Sequence, residues 1–169
     1  MAGASGSGTT TLGRVLADYW SVPHADADDY FWMPTVPPYT EKRAESARLA
    51  LMYDAFIPRD AWVLSGSLLG WGHSIVAHCD AVVFLTLEPE ERRRRLEARE
   101  VNRRDGREFD EAAWCDFLDW ARSYDDPLFG GRSRVAHEEW MAQCGRPILR
   151  LNSGIPPREL RDAVLRWKP

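Results

Sequence analysis

Nine consecutive residues, Gly3-Ala4-Ser5-Gly6-Ser7-Gly8-Thr9-Thr10-Thr11, have the types and spacing to hold a phosphate. They read G-x-x-x-x-G-T-T, a phosphate-binding loop with Thr9 at the position usually held by lysine. The glycines and serines let the backbone turn tightly and aim successive N–H groups at phosphate oxygens. The Thr10 hydroxyl falls where the Ser or Thr of such a loop ligates Mg2+. Leu12, Val15, Leu16 and Tyr19 then recur at helical spacing, which predicts a helix over residues 9–20 with its positive end on the anion. A Gly/Ser linker would share this composition, but a linker does not run straight into an amphipathic helix.

A second constellation follows at once. Residues 21–25 read as a short strand ending in Asp26-Ala27-Asp28-Asp29. In an extended chain the D-x-D pair places both carboxylates on one side. Asp26 can serve Mg2+ through water, and Asp28 can orient or deprotonate a substrate hydroxyl. The competing structural reading makes Asp28 or Asp29 a helix N-cap. The apolar run 61–64 predicts a buried strand closed by Ser65-Gly66-Ser67, with Ser65 where many phosphate-loop enzymes carry an aspartate. The metal is therefore expected to lean on Thr10 and Asp26. Thr9 also removes a cation from the loop, so phosphate charge has to be met by guanidinium groups. Arg99, Arg103 and Arg132 border polar or glycine-bearing segments and are the candidates to swing in. Arg43 and Arg48 are expected to face a substrate anion or to be solvated, and His73 and His78 to be structural.

The elements that must position these groups alternate. A stiff aromatic and proline-rich loop over residues 31–40 borders the Asp26/Asp28 edge, and residues 40–56 read as a helix. A helix is expected over 68–78, a strand over 79–87, and a charged helix from Pro89 whose Glu–Arg spacings read as surface ion pairs. Residues 101–107 are polar. Helices over 110–124 and 132–143 flank a loop with Gly130 and Gly131, and the chain closes with a strand over 147–151 and a helix over 157–167. Strands alternating with helices predict an α/β fold, a parallel sheet between two helix layers. Only Met1 and Ala2 precede Gly3, so the first strand is expected to be shortened, lost or dispensed with.

Composition narrows the class. The 169 residues suit one domain, with 44% hydrophobic and 28% charged residues. A net charge of −4 argues against a general affinity for nucleic acid. No run approaches the ~20 apolar residues of a membrane span, and Cys79, Cys115 and Cys144 are too scattered for a disulfide framework, which fits a cytoplasmic protein, monomer or homodimer. Of 22 basic residues only Lys42 and Lys168 are lysines. Eight tryptophans are many for this length, enough to supply a core and a wall for a ring-shaped ligand.

With these residues in place the chain resembles the small P-loop kinases, the adenylate kinase, shikimate kinase and gluconate kinase group. The resemblance spans nearly the whole length, through residues 3–11, Asp26-Ala27-Asp28, Ser65-Gly66-Ser67, and the run from Leu85 to Arg95-Leu96 and Arg99. It implies a three-layer P-loop NTPase fold, ATP at Gly3, Ser5, Gly6, Ser7, Gly8, Thr9, Thr10 and Thr11, and a lid-like segment over about 99–132. It also implies transfer of the ATP γ-phosphate to a small hydroxylated or anionic metabolite. Asp28, Arg99 and Arg132 would be catalytic, Arg103 nucleotide-binding, and Thr10 and Asp26 metal-binding. The D-x-D spacing looks closer to shikimate kinases than to nucleoside monophosphate kinases, whose Asp-Gly-Phe-Pro-Arg after the third strand is absent. A nucleotide-binding module with little chemistry is the alternative that Thr9 leaves open, and a nucleoside monophosphate (adenylate) kinase-like enzyme is the third reading.

Overall fold

The computed structural model describes residues 1–103 and 110–169. Five parallel strands form its centre: β1 (Ala2–Gly3), β2 (His24–Asp26), β3 (Val63–Ser65), β4 (Val82–Thr86) and β5 (Ile148–Asn152). β1 pairs with β4, setting Ala2 opposite Phe84, β4 pairs with β5, and β2 pairs with β3. Met1 joins the two groups. Its nitrogen donates to the Leu64 carbonyl at 2.6 Å, and its own carbonyl accepts from Gly66 N–H at 3.1 Å. The strand order is therefore β2-β3-β1-β4-β5. The first strand is present, and its two residues occupy the centre of the sheet.

Side-chain alternation covers both faces. Val63, Val83 and Leu85 point to one side, against Leu12, Leu16 and Ala17 of α1 (Thr9–Trp20) and Leu160 and Val164 of α8 (Pro157–Arg166). Each fully buried leucine of this kind contributes about 2 kcal/mol. Leu64 and Phe84 point the other way. Leu64 packs among Met52 and Phe56 of the segment containing α3 (Glu45–Ala55), and near Ile75 of α4 (His73–Val76). Phe84 meets Met141 of α7 (Arg134–Gln143). Helices on both faces of a parallel sheet are the architecture predicted. The remaining helices are α2 (Ala27–Phe31), α5 (Pro89–Arg103) and α6 (Glu111–Arg122).

Several boundaries differ from expectation, each for a local reason. Residues 40–43 do not open a helix. Trp32 bridges Lys42 antiparallel, Met33 N–H donates to Glu41 and Arg43 N–H to Phe31, so α3 begins only at Glu45. The helix expected over 68–78 is reduced to four residues, because Gly70 sits at φ 78°, in the left-handed region. The second strand starts at His24 and takes in Asp26, since Ser21 is itself left-handed where it ends α1. Tyr19 is 57% exposed rather than core and lies beneath the Arg161 guanidinium. Residues 101–103 continue α5, and 104–109 lie outside the described residues.

Two buried polar contacts fix the elements that follow α5. Arg92 is 3% exposed, pairs with Asp125 and donates to the Leu87 carbonyl, while Arg134 holds the other oxygen of Asp125 at 2.9 Å. His137, 1% exposed, stands between the Tyr124 hydroxyl at 3.0 Å and the Ser67 hydroxyl at 3.3 Å. Burial lowers the His137 pKa to about 4, with Arg132 acting the same way, and burial lifts the Tyr124 phenol to about 12. The folded protein thus holds His137 neutral, whereas the unfolded chain binds a proton below about pH 6.5. Stability from this site is complete above that pH and declines as pH falls from 6.5 through 4. The parent should lose about 3 kcal/mol more than His137→Gln over that window in urea titrations. Parallel pH profiles for the two proteins would refute it.

Candidate active site

The loop between β1 and α1 is built to stay open on one side only. Its first half is packed tight. A Cβ at Gly3 would lie 2.6 Å from the Leu85 carbonyl oxygen, and one at Gly6 2.7 Å from that of Arg92. Ser7 is wholly buried, its hydroxyl has no partner among the described residues, and its N–H closes a turn onto the Ala4 carbonyl. Gly8 caps α1 at φ 86°, a left-handed conformation that delivers the chain into the helix with no side chain over its first amides. Among the described residues, and chain neighbours aside, a Cβ placed at Gly8 would meet one atom within 4 Å, Nη1 of Arg95 at 3.7 Å. Thr9 and Thr11 make no side-chain hydrogen bond among the described residues, and Thr11 is exposed.

Thr10 and Asp26 meet at the next layer. The Thr10 hydroxyl donates to Asp26 Oδ2 at 2.7 Å, which leaves the Thr10 oxygen lone pairs for a cation. Asp26, rather than Asp28 or Asp29, caps α2, its Oδ1 accepting from Asp28 N–H at 3.1 Å. Ser65 donates to Asp26 at 3.4 Å and lies 2.9 Å from His24 Nε2. The His24 pKa is lowered, first by burial and then by Arg14, against the pull of Asp26 and Asp29. Among the described residues no three or more His, Cys, Asp or Glu side chains gather as a metal cage. One carboxylate beside one hydroxyl, with phosphate and water completing the shell, is a donor set that suits Mg2+.

Arg132 reaches the loop from the chain just ahead of α7. It donates to the Ser5 hydroxyl of the loop, and its guanidinium lies 4.8 Å from the Trp120 ring centroid. Its Nε is buried without a partner among the described residues. Arg132 and Asp28 sense each other, yet desolvation outweighs their attraction in both: burial lowers the Arg132 pKa, while burial and then Asp26 raise that of Asp28. Asp28 keeps solvent access, and its raised pKa makes it a stronger base than a free carboxylate. Arg99 is near enough to oppose that rise. Arg103 is the last residue of α5, and its side chain lies outside the described residues.

Ser5, Thr10, Asp26, Asp28 and Arg132 are therefore brought together by the ends of β1, β2 and the chain before α7. Arg43 and Arg48 are neither solvated nor free to act as expected. Arg43 holds the Tyr30 and Trp32 carbonyls, and Arg48 is buried with its guanidinium 3.8 Å from the Phe31 centroid and its Nε on the Arg43 carbonyl. Arg95 is the residue that sequence reasoning missed. Glu91 and the Ser153 carbonyl steady it at the mouth of the loop. Its i,i+4 spacing from Arg99, a face shared by two arginines, was the available signal.

No protein-family model matches the chain. It is 35% identical to the uncharacterized protein YqaC of Bacillus subtilis (strain 168), over 96% of this chain and 92% of that one. Among solved structures, shikimate kinase from Bacteroides thetaiotaomicron superposes with a TM-score of 0.52 at 18% identity, covering 97% of this chain and 95% of that chain. Shikimate kinase from Aquifex aeolicus vf5 gives 0.50 at 16%, covering 98% and 94%. A sugar kinase from Janibacter sp. HTCC2649 gives 0.50 at 16%, covering 98% and 90%. The fold is that of the P-loop kinases. Replacing Gly8 by valine puts a β-branched side chain at a left-handed φ and over the loop's open side, so calorimetry with ADP should register no binding while circular dichroism stays that of the parent. Parental affinity in Gly8→Val would show that this loop does not cradle phosphate.

Proposed function

The chain belongs to the family of the Bacillus subtilis protein YqaC, and we propose that it is an ATP- and Mg2+-dependent phosphotransferase acting on a small hydroxylated or anionic metabolite. The observation that carries this reading is Arg132, bonded to Ser5 of the phosphate loop on one side and facing Asp28 on the other. A cation between the donor loop and an acidic group is what in-line phosphoryl transfer asks of a protein that supplies only position and charge.

The amides of residues 6–10 would bind phosphate oxygens, and Thr10 and Asp26 would hold Mg2+ with phosphate and water. Bound there, Mg2+ would supply charge neutralisation across the β- and γ-phosphates. Asp28 orients the acceptor hydroxyl and receives its proton as the new P–O bond forms and the bond to the ADP oxygen breaks. An NTP brings about four negative charges and Mg2+ offsets two, so Thr9 leaves a deficit. Arg132 and Arg99 on the acceptor side, and Arg95 at Gly8, are the groups placed to meet it.

Incubation with Mg-ATP and a panel of sugars, nucleosides and hydroxy acids, following ADP, tests the reading. ADP release that depends on one acceptor is expected; tight binding with no turnover across the panel would favour a nucleotide-binding module. Asp28→Asn should depress turnover far more than nucleotide affinity, and unchanged turnover would move the acceptor elsewhere. Arg132→Ala should cost ~10³-fold in turnover, the scale of a missing arginine finger. If Arg132→Ala is inert while Thr9→Lys raises phosphotransfer, the loop is uncompensated and the arginine account fails.

A further inference from the structure

We infer that His24 and Ser65 are positioning residues that aim the Asp26 carboxylate at the loop's metal subsite, an inference that rests on the kinase reading above. Ser65 stands on β3 where an acid is common, yet it is wholly buried, so its single hydroxyl hydrogen must find an acceptor inside the protein. Three are in reach: His24 Nε2 at 2.9 Å, Asp26 Oδ2 at 3.4 Å and the Ala25 carbonyl at 3.5 Å. With the ring hydrogen on Nε2, the imidazole donates to Ser65 and the Ser65 hydrogen goes to the carboxylate, the strongest acceptor of the three. With the lone pair on Nε2, Ser65 turns to His24 and Asp26 loses a donor. The first arrangement gives Ser65 both a donor and an acceptor and leaves Asp26 with two hydroxyl donors.

Its consequence is orientation. Asp26 Oδ2 then accepts from both Thr10 and Ser65, and Oδ1 from Asp28 N–H, which leaves one lone-pair direction on Oδ1 open. Two glycines keep this arrangement possible. A Cβ at Gly66 would lie 3.1 Å from Oδ1, and a Cβ at Gly13, inside α1, would lie 2.6 Å from His24 Nε2. Gly13 costs its helix about 1 kcal/mol relative to alanine, and the space it yields is taken by the His24 ring. His24 and Ser65 thus stand behind Asp26 as outer partners stand behind a metal ligand.

Titration calorimetry on the full chain with ADP, once with Mg2+ and once with EDTA, reads this directly as the ratio of the two affinities. In Ser65→Ala and in His24→Leu the ratio should fall about tenfold or more while the affinity in EDTA stays parental. His24→Gln, whose amide N–H can occupy the place of Nε2–H, should restore it. An unchanged ratio in Ser65→Ala, which removes a single oxygen, overturns the inference. So does an equal loss with and without Mg2+, which would mark a merely structural role. A parent protein that binds ADP with no preference for Mg2+ removes the metal subsite and this inference together, whereas a parental preference that survives Ser65→Ala removes the inference alone.

Discussion

The hydrogen bond from Thr10 to Asp26 joins the two halves of the site, and the surrounding structure serves to keep it. Thr10 belongs to the first turn of α1 and Asp26 is the last residue of β2, so the bond ties the start of that helix to the end of that strand. It is held from below by the sheet order. Met1 binds both Leu64 and Gly66, which locks β1 against β3, and β3 in turn carries β2 in register, Asp26 opposite Ser65. A slip of one residue between β2 and β3 would turn Asp26 to the other face and empty the site.

Arg132 reaches the same point from the far end of the chain. It lies just ahead of α7, whose N-cap is Ser133, and that helix is fastened by His137 to Ser67 and Tyr124 and by Arg134 to Asp125. Asp125 is held in turn by Arg92 from α5, the helix that also carries Arg95 and Arg99. A charge-bearing side chain with a buried, unpartnered Nε is costly to keep in place unless its backbone is fixed. The ion pairs and the neutral imidazole around it supply that fixation.

The parts of this arrangement that local chemistry dictates could be read from the sequence. The loop and α1 were legible because Gly8, the threonines and the i,i+4 leucines each specify backbone locally, and the helix begins and ends at the expected residues. Asp26, Asp28 and Arg132 were legible as types at strand and helix ends. What escaped was tertiary. Residues 40–43 carry helix-compatible side chains, but pairing of Trp32 with Lys42 claims their backbone. Ser65 read as a lost acid, whereas its partner His24 lies across a strand boundary that spacing does not reveal. Arg95 looked like one more surface ion pair until the fold set Gly8 beside it.

The apolar interior is divided rather than continuous. Leu12, Leu16 and Leu160 form one cluster beneath α1, and Met52, Phe56, Trp71 and Ile75 form another on the other face of the sheet. In terms of descent, this lets the two halves of the molecule vary on separate accounts. Changes that reshape the segment after β2 fall on the second cluster, with the β-sheet between the two acting as a partition. A lineage built on this plan can alter one end of its sheet while leaving the packing beneath the glycine-rich loop untouched.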